Sequence, residues 1–130
     1  MPAGGTVRAQ RLFLGVGALS AGLAVAAGAF GAHGLRAHVA PEMLAVFETG
    51  ARYQMYHALA LIAVAWVAGR DAARSVRVAG VAFVVGTLLF SGSLYLLALT
   101  GIRWLGAITP LGGVAFLVGW GCLAWSALRA

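Results

Sequence analysis

The sequence predicts an all-α membrane protein: a four-helix transmembrane bundle with a short amphipathic interfacial helix between the first and second spans. Three observations predict it. Hydrophobic residues make up 62% of the 130 residues and charged residues only 9%, against roughly 25% charged in a typical globular domain. The charges are nine arginines, two glutamates and one aspartate, with no lysine, too few to cover a water-soluble protein this small. They leave uncharged runs at 12–35, 53–69, 78–102 and 104–128. So much apolar surface excludes intrinsic disorder, and the runs lack the period-two alternation of a membrane β-barrel. The whole chain, 1–130, reads as one transmembrane domain.

The spans follow from the run lengths of 24, 17, 25 and 25 residues. A helix needs roughly 20 apolar residues, at about 1.5 Å each, to cross the hydrocarbon core. The spans are placed at 12–33, 53–69, 78–100 and 104–128, and the short second one borrows a turn from the segment before it. Arg8 and Arg11 ahead of an apolar stretch also describe a secretory signal, with Ala27 and Ala29 imitating a cleavage site. The first run is longer than a usual signal core, so a retained helix is expected. Small residues recur every fourth position at Ala18, Gly22 and Ala26, at Ala24, Gly28 and Ala32, and at Ala115 and Gly119. Such spacing lets helix backbones approach in lipid. It suggests a first helix central in the bundle, with the second, richer in Leu, Ile and Val, facing lipid.

Four crossings put both termini on the side of the loop after the second span. Arg8, Arg11, Arg70, Arg74, Arg77 and Arg129 lie there, and Arg36, Arg52 and Arg103 lie opposite. The positive-inside rule then makes the termini cytoplasmic. Tyr53, Tyr56 and Trp104 fall near the outer interface, and Trp66 and Trp125 near the inner one. Arginine without lysine, beside abundant Ala and Gly, suggests a high-GC bacterial proteome and a bacterial cytoplasmic (inner) membrane. The arginines are scattered among loops, so nucleic-acid binding is not expected.

Residues 41–52 form the interfacial helix. Pro41 suits its first turn; Met43, Leu44, Phe47 and Ala51 share one face, and Glu42, Glu48, Thr49 and Arg52 the other. A continuation into the second span stays open. Glu48 and Arg52, four apart, are expected to form an ion pair. A packing role capping the bundle is favoured over a lid or docking surface.

No Asp, Glu, Lys or Arg lies within a span, which argues against a pump or proton-coupled carrier. The remaining polar residues gather toward the outer half. His33 closes the first span; Tyr53 and His57 share a face; Thr87, Ser91 and Tyr95 form an i, i+4 stripe; Thr109 lies at comparable depth. The candidate cluster is therefore His33, Glu48, Arg52, Tyr53, His57, Ser91, Tyr95 and Thr109. Its structural reading is interhelical hydrogen bonding; its functional reading is a small cavity holding a ligand headgroup. Paired histidines suit haem in a helical bundle, but His33 and His57 sit near one interface and no acidic or thiol group completes a metal set. No cofactor is expected. Ser91 or Ser93 beside His57 lacks a third group to orient a triad. The lone Cys122 reads as a packing residue.

The segments GAFGAHGL (28–35), FETGARYQMYHALAL (47–61), FSGSLYLLALTG (90–101) and TPLGGVAFLVGW (109–120) occur in order. Over nearly the whole chain they resemble the domain of unknown function 423 family, small bacterial multi-pass membrane proteins whose eukaryotic relative is transmembrane protein 256. The family's characteristic positions fall on Gly28, Gly31, His33, Gly34, Glu48, Tyr53, His57, Ser91, Gly92, Tyr95, Pro110 and Gly112. The resemblance implies a small membrane protein and no assigned activity. Two functions are expected to compete. One is a non-enzymatic structural or accessory component, with the bilayer and a homo-oligomer or larger membrane complex as partners. The other is a binding module for a lipid, quinone or haem. An intramembrane enzyme or channel ranks last.

Overall fold

A computed structural model describes residues 4–71 and 73–130. Four long helices follow one another: α1 (Gly4–Phe30), α2 (Pro41–Ala68), α3 (Arg74–Thr100) and α4 (Thr109–Leu128). A π-helical turn, Gly31–Leu35, extends α1, and a 3-10 turn, Arg103–Ala107, precedes α4. The protein is an all-α membrane bundle. Three segments, Gly4–Leu35, Arg74–Thr100 and Arg103–Leu128, are long and apolar enough to span a membrane on their own.

The second helix is not among these three, and its register sets it beside the first. A Cβ on Gly69, at its C-terminal end, would touch Gln10 of α1, and one on Gly31, where α1 ends, would touch Phe47 of α2. Thus α2 runs antiparallel along the length of α1. Residues 41–52 and 53–68 form this one helix, with Pro41 in its first turn and the extended Ala40 before it. Phe47 and Ala51 of the 41–52 face are buried, while Glu42 and Arg52 are exposed. The expected Glu48–Arg52 ion pair does not form. Among the described residues the ion pair is Arg129 to Asp71, at 3.2 Å. That pair fastens the C-terminus to the α2–α3 loop, so both termini and this loop share one end of the bundle.

The expected roles of the first two helices are exchanged. In α1 only Phe13, Gly17 and Ala24 are buried, and Ala18, Gly22 and Ala26 face outward. In α2 eleven residues are buried. The physical reason is adjacency: α1 packs along α2 alone for most of its length, whereas α2 has α1 and α3 beside it and the ring of Trp120 from α4 across it. Small-residue spacing permits close approach but does not select which face is used.

Two apolar clusters stack along the bundle. Near the termini, Phe13, Leu61, Val64, Val76, Ala79, Phe83 and Phe116 pack together. At the other end Leu35, Phe47 and Ala98 do so. Between them lies a layer holding the buried polar residues Gln54, His57, Ser91 and Ser93. α3 ends at Gly101, whose φ of 71° is the left-handed conformation that closes a helix, its N–H donating to the Leu97 carbonyl.

The backbones of α3 and α4 approach closely at Gly112. A Cβ on Gly112 would lie 2.4 Å from the backbone nitrogen of Phe90 and 2.8 Å from its Cα. Backbone cannot swing aside as a side-chain tip can. Gly112→Ala is therefore expected to push the helices apart and cost about 1–3 kcal/mol, read as an earlier midpoint in denaturant titration of detergent-solubilised protein. Gly22→Ala, with nothing within 4 Å of the new methyl, is expected to change stability by less than about 0.5 kcal/mol. Equal effects would contradict this packing.

Candidate functional site

The polar layer divides into two groups on opposite sides of α2. On the α4 side, His57 is 5% exposed and lies face to face with Phe116, ring centroids 3.5 Å apart. Its Nδ1 is 2.7 Å from the Tyr53 carbonyl, and the Trp120 indole N–H points at its Nε2 from 3.2 Å. A carbonyl only accepts and an indole N–H only donates. His57 is therefore the Nδ1–H tautomer, with both nitrogens engaged. Tyr53 tilts against Phe90 and Tyr56, and its ring is partly exposed at the bundle surface.

On the α1 side, Gln54 joins three helices. Its side-chain amide donates to the Ser20 carbonyl of α1 at 3.0 Å and meets the Ser20 hydroxyl at 3.4 Å. Its Oε1 accepts from the Tyr95 hydroxyl of α3 at 2.7 Å. One turn earlier on α2, the Gly50 carbonyl accepts from Ser91 at 2.7 Å. Gly50 has to be small here, because a Cβ would lie 3.0 Å from the Tyr95 ring. The Thr87 hydroxyl turns back to the Phe83 carbonyl.

These residues floor a cleft of about 360 Å³ between α1 and α3. Ser20, Gln54, Thr87, Ser91 and Tyr95 are its polar lining residues, and Leu19, Leu23 and Leu88 are among its apolar walls. Phe13 closes the terminal end by reaching from α1 across to Gly80 of α3. A volume of this size suits a small ligand. No charged residue lines it.

The sequence-derived cluster is thus not one site. Ser91 and Tyr95 belong to the cleft, and Tyr53 and His57 to the aromatic stack. Thr109 lies 2.6 Å from Ser93 and pins the start of α4 to α3; since Ser93 donates to the Phe90 carbonyl, Thr109 supplies the proton. His33 is exposed on the π turn, Arg52 is exposed on α2, and Glu48 is half-buried beside Ala51 and Gly28. Sequence reasoning missed Ser20 and Gln54. A signal was present, because Gln54 is the sole carboxamide in the uncharged runs. Chemically, the Ser91 hydroxyl is directed at a backbone carbonyl and His57 at a carbonyl and an indole, so the two do not form a nucleophile–base pair.

The chain matches, over residues 27–113, the family described as "Protein of unknown function (DUF423)". A UPF0382 membrane protein of Bacillus subtilis, YwdK, is 48% identical over 121 residues, 92% of this chain and 98% of that protein. UPF0382 membrane proteins of Staphylococcus aureus and Staphylococcus saprophyticus are 48% and 49% identical over 111 residues, 85% of this chain and 90% and 92% of theirs. No solved structure matches the chain.

The Tyr95–Gln54 bond generates a prediction. Tyr95→Phe leaves Gln54 Oε1 without its donor and is expected to cost about 1–3 kcal/mol. In a double-mutant cycle, Gln54→Leu and Tyr95→Phe are expected to couple by about 0.6 kcal/mol, the average for interhelical bonds in lipid, and by no more than about 1.7 kcal/mol. Simple additivity would show that the bond does not form.

Proposed function

We propose that this chain, which belongs to the DUF423 family of proteins of unknown function, is a non-enzymatic component of a membrane assembly that acts by binding. The observation that carries this reading is the state of its intramembrane polar groups. His57, Ser91, Ser93, Thr109, Gln54 and Tyr95 are each engaged in holding helices together or in satisfying a backbone carbonyl. Removing any of them from that work to do chemistry would leave a buried polar group unpaired, at about 1–3 kcal/mol each. A protein built this way presents surfaces. Its exposed α1 flank is one on which another membrane helix can pack, as small residues allow.

A second reading is favoured by the cleft between α1 and α3. Its apolar walls and uncharged polar floor suit a neutral, lipid-soluble ligand such as a quinone or glyceride. The Ser20 hydroxyl, which accepts from Gln54, donates to no described residue and is free to meet a carbonyl. Ser20 is 16 residues from the start and 15 from the end of Gly4–Leu35, so the head of such a ligand would sit near mid-membrane. Charge is costly at that depth.

The membrane is proposed to be the bacterial cytoplasmic one, with the arginine-rich terminal end inside. In a Cys122→Ser background, Ala37→Cys is expected to react with a membrane-impermeant maleimide in intact cells, and Ala130→Cys only after lysis. The opposite pattern would reverse the orientation. Mild-detergent pull-down with mass spectrometry tests the main reading: another membrane protein should be recovered in stoichiometric amount. Recovery of the chain with itself alone, together with a bound neutral lipid, would favour the second reading instead.

A further inference from the structure

A different surface, between α3 and α4, carries its own signature. Arg74 and Arg77 stand at the start of α3, and Val78, Val81, Ala82 and Val85 continue the same face toward mid-membrane. With Ala115 and Val118 of α4 they line an apolar groove of about 610 Å³. The spacing 74, 77, 78, 81, 82, 85 is that of one helical face. Two arginines thus cap an otherwise apolar trough between adjacent helices.

The neighbouring charges do not neutralise them. Asp71, the acid nearest in sequence, is paired with Arg129 at 3.2 Å. Arg70 lies over the Trp66 ring, 3.7 Å from its centroid. Arg74 and Arg77 are exposed and make no ion pair with any described residue. From Arg77 to Val85 is eight residues, about 12 Å of helix, close to the roughly 15 Å that one leaflet contributes to the hydrocarbon core. The trough therefore has the depth of one acyl chain, and its charged end lies at headgroup level.

We propose that the α3–α4 groove is a binding site for an anionic phospholipid of the leaflet facing the terminal end. The phosphate lies between Arg74 and Arg77, and one acyl chain lies along Val78, Val81 and Val85. Guanidinium groups match phosphate oxygens in geometry as well as charge. This stands whether or not the protein also has a protein partner, since it concerns a surface that the preceding readings leave unused.

The full-length protein is reconstituted in nanodiscs of equal phosphatidylglycerol and phosphatidylcholine, released into mild detergent, and analysed by native mass spectrometry for retained lipid. Phosphatidylglycerol is expected to be retained about thirtyfold over phosphatidylcholine, from about fivefold for each arginine beside an anionic lipid. Arg74→Ala with Arg77→Ala should bring the ratio within twofold of unity, and Arg74→Lys with Arg77→Lys should restore part of it. Ala115→Phe, which fills the trough and leaves both arginines, should lower retention as well. Arg103→Ala, at the opposite end, should leave it unchanged. Equal retention of the two lipids, or a ratio unaffected by the double alanine variant, would overturn the proposal. So would displacement of the lipid by millimolar inorganic phosphate, which would mark a site for a soluble anion.

Discussion

A buried carboxamide in a bilayer has no water to turn to, so Gln54 must find protein partners, and the ones it finds lie on two other helices. Its amide holds the Ser20 carbonyl of α1 and its carbonyl oxygen holds the Tyr95 hydroxyl of α3. In lipid there is no hydrophobic drive to bring helices together, and association rests on packing and on such bonds. The Ser91–Gly50 bond one turn away adds a second tie between α2 and α3. With α2 fixed between α1 and α3, its opposite face is left for α4, where Phe116 and Trp120 enclose His57.

The same constraint shapes the open surfaces. Gln54 ties α1 and α3 to α2 but does not draw them together, and the cleft is the space that results. Phe13 bridges that space only at the terminal end, where Gly80 makes room for its ring. On the other flank, α3 and α4 approach so closely at Gly112 and Phe90 that no ligand passes there. Nearer the termini they leave a trough that ends under Arg74 and Arg77. One bundle thus offers a neutral cleft and a basic-ended trough on different sides. The difference follows from which residues lie at each depth.

Much of the fold was legible in the sequence, because charge is costly in lipid and its absence marks the spans. The four helices contain the four uncharged runs apart from the turns at their ends, and the Thr87, Ser91 and Tyr95 stripe does lie on one side of α3. The neighbours of that stripe were not legible. Tyr53 and His57 share depth with it, yet depth does not say which side of α2 a residue occupies: His57 meets Phe116 and Trp120 of α4, and Tyr53 lies against Phe90 of α3. Gln54 falls outside both the Tyr53–His57 spacing and the α3 stripe, so sequence spacing alone does not join it to either group. The placement of α1 at an edge was hidden for a related reason. A stripe such as Ala18, Gly22 and Ala26 is compatible with both a helix contact and a lipid-facing side.

The structure holds Gln54 by α1 and α3 at once, and solid-state NMR of the labelled protein in lipid bilayers measures that directly. The structure predicts through-space correlations from the Gln54 side-chain nitrogen to the Ser20 carbonyl carbon, and from the Gln54 side-chain carbonyl to the Tyr95 ring, with an amide that exchanges slowly with water. A rapidly exchanging Gln54 amide that correlates with neither helix would contradict it.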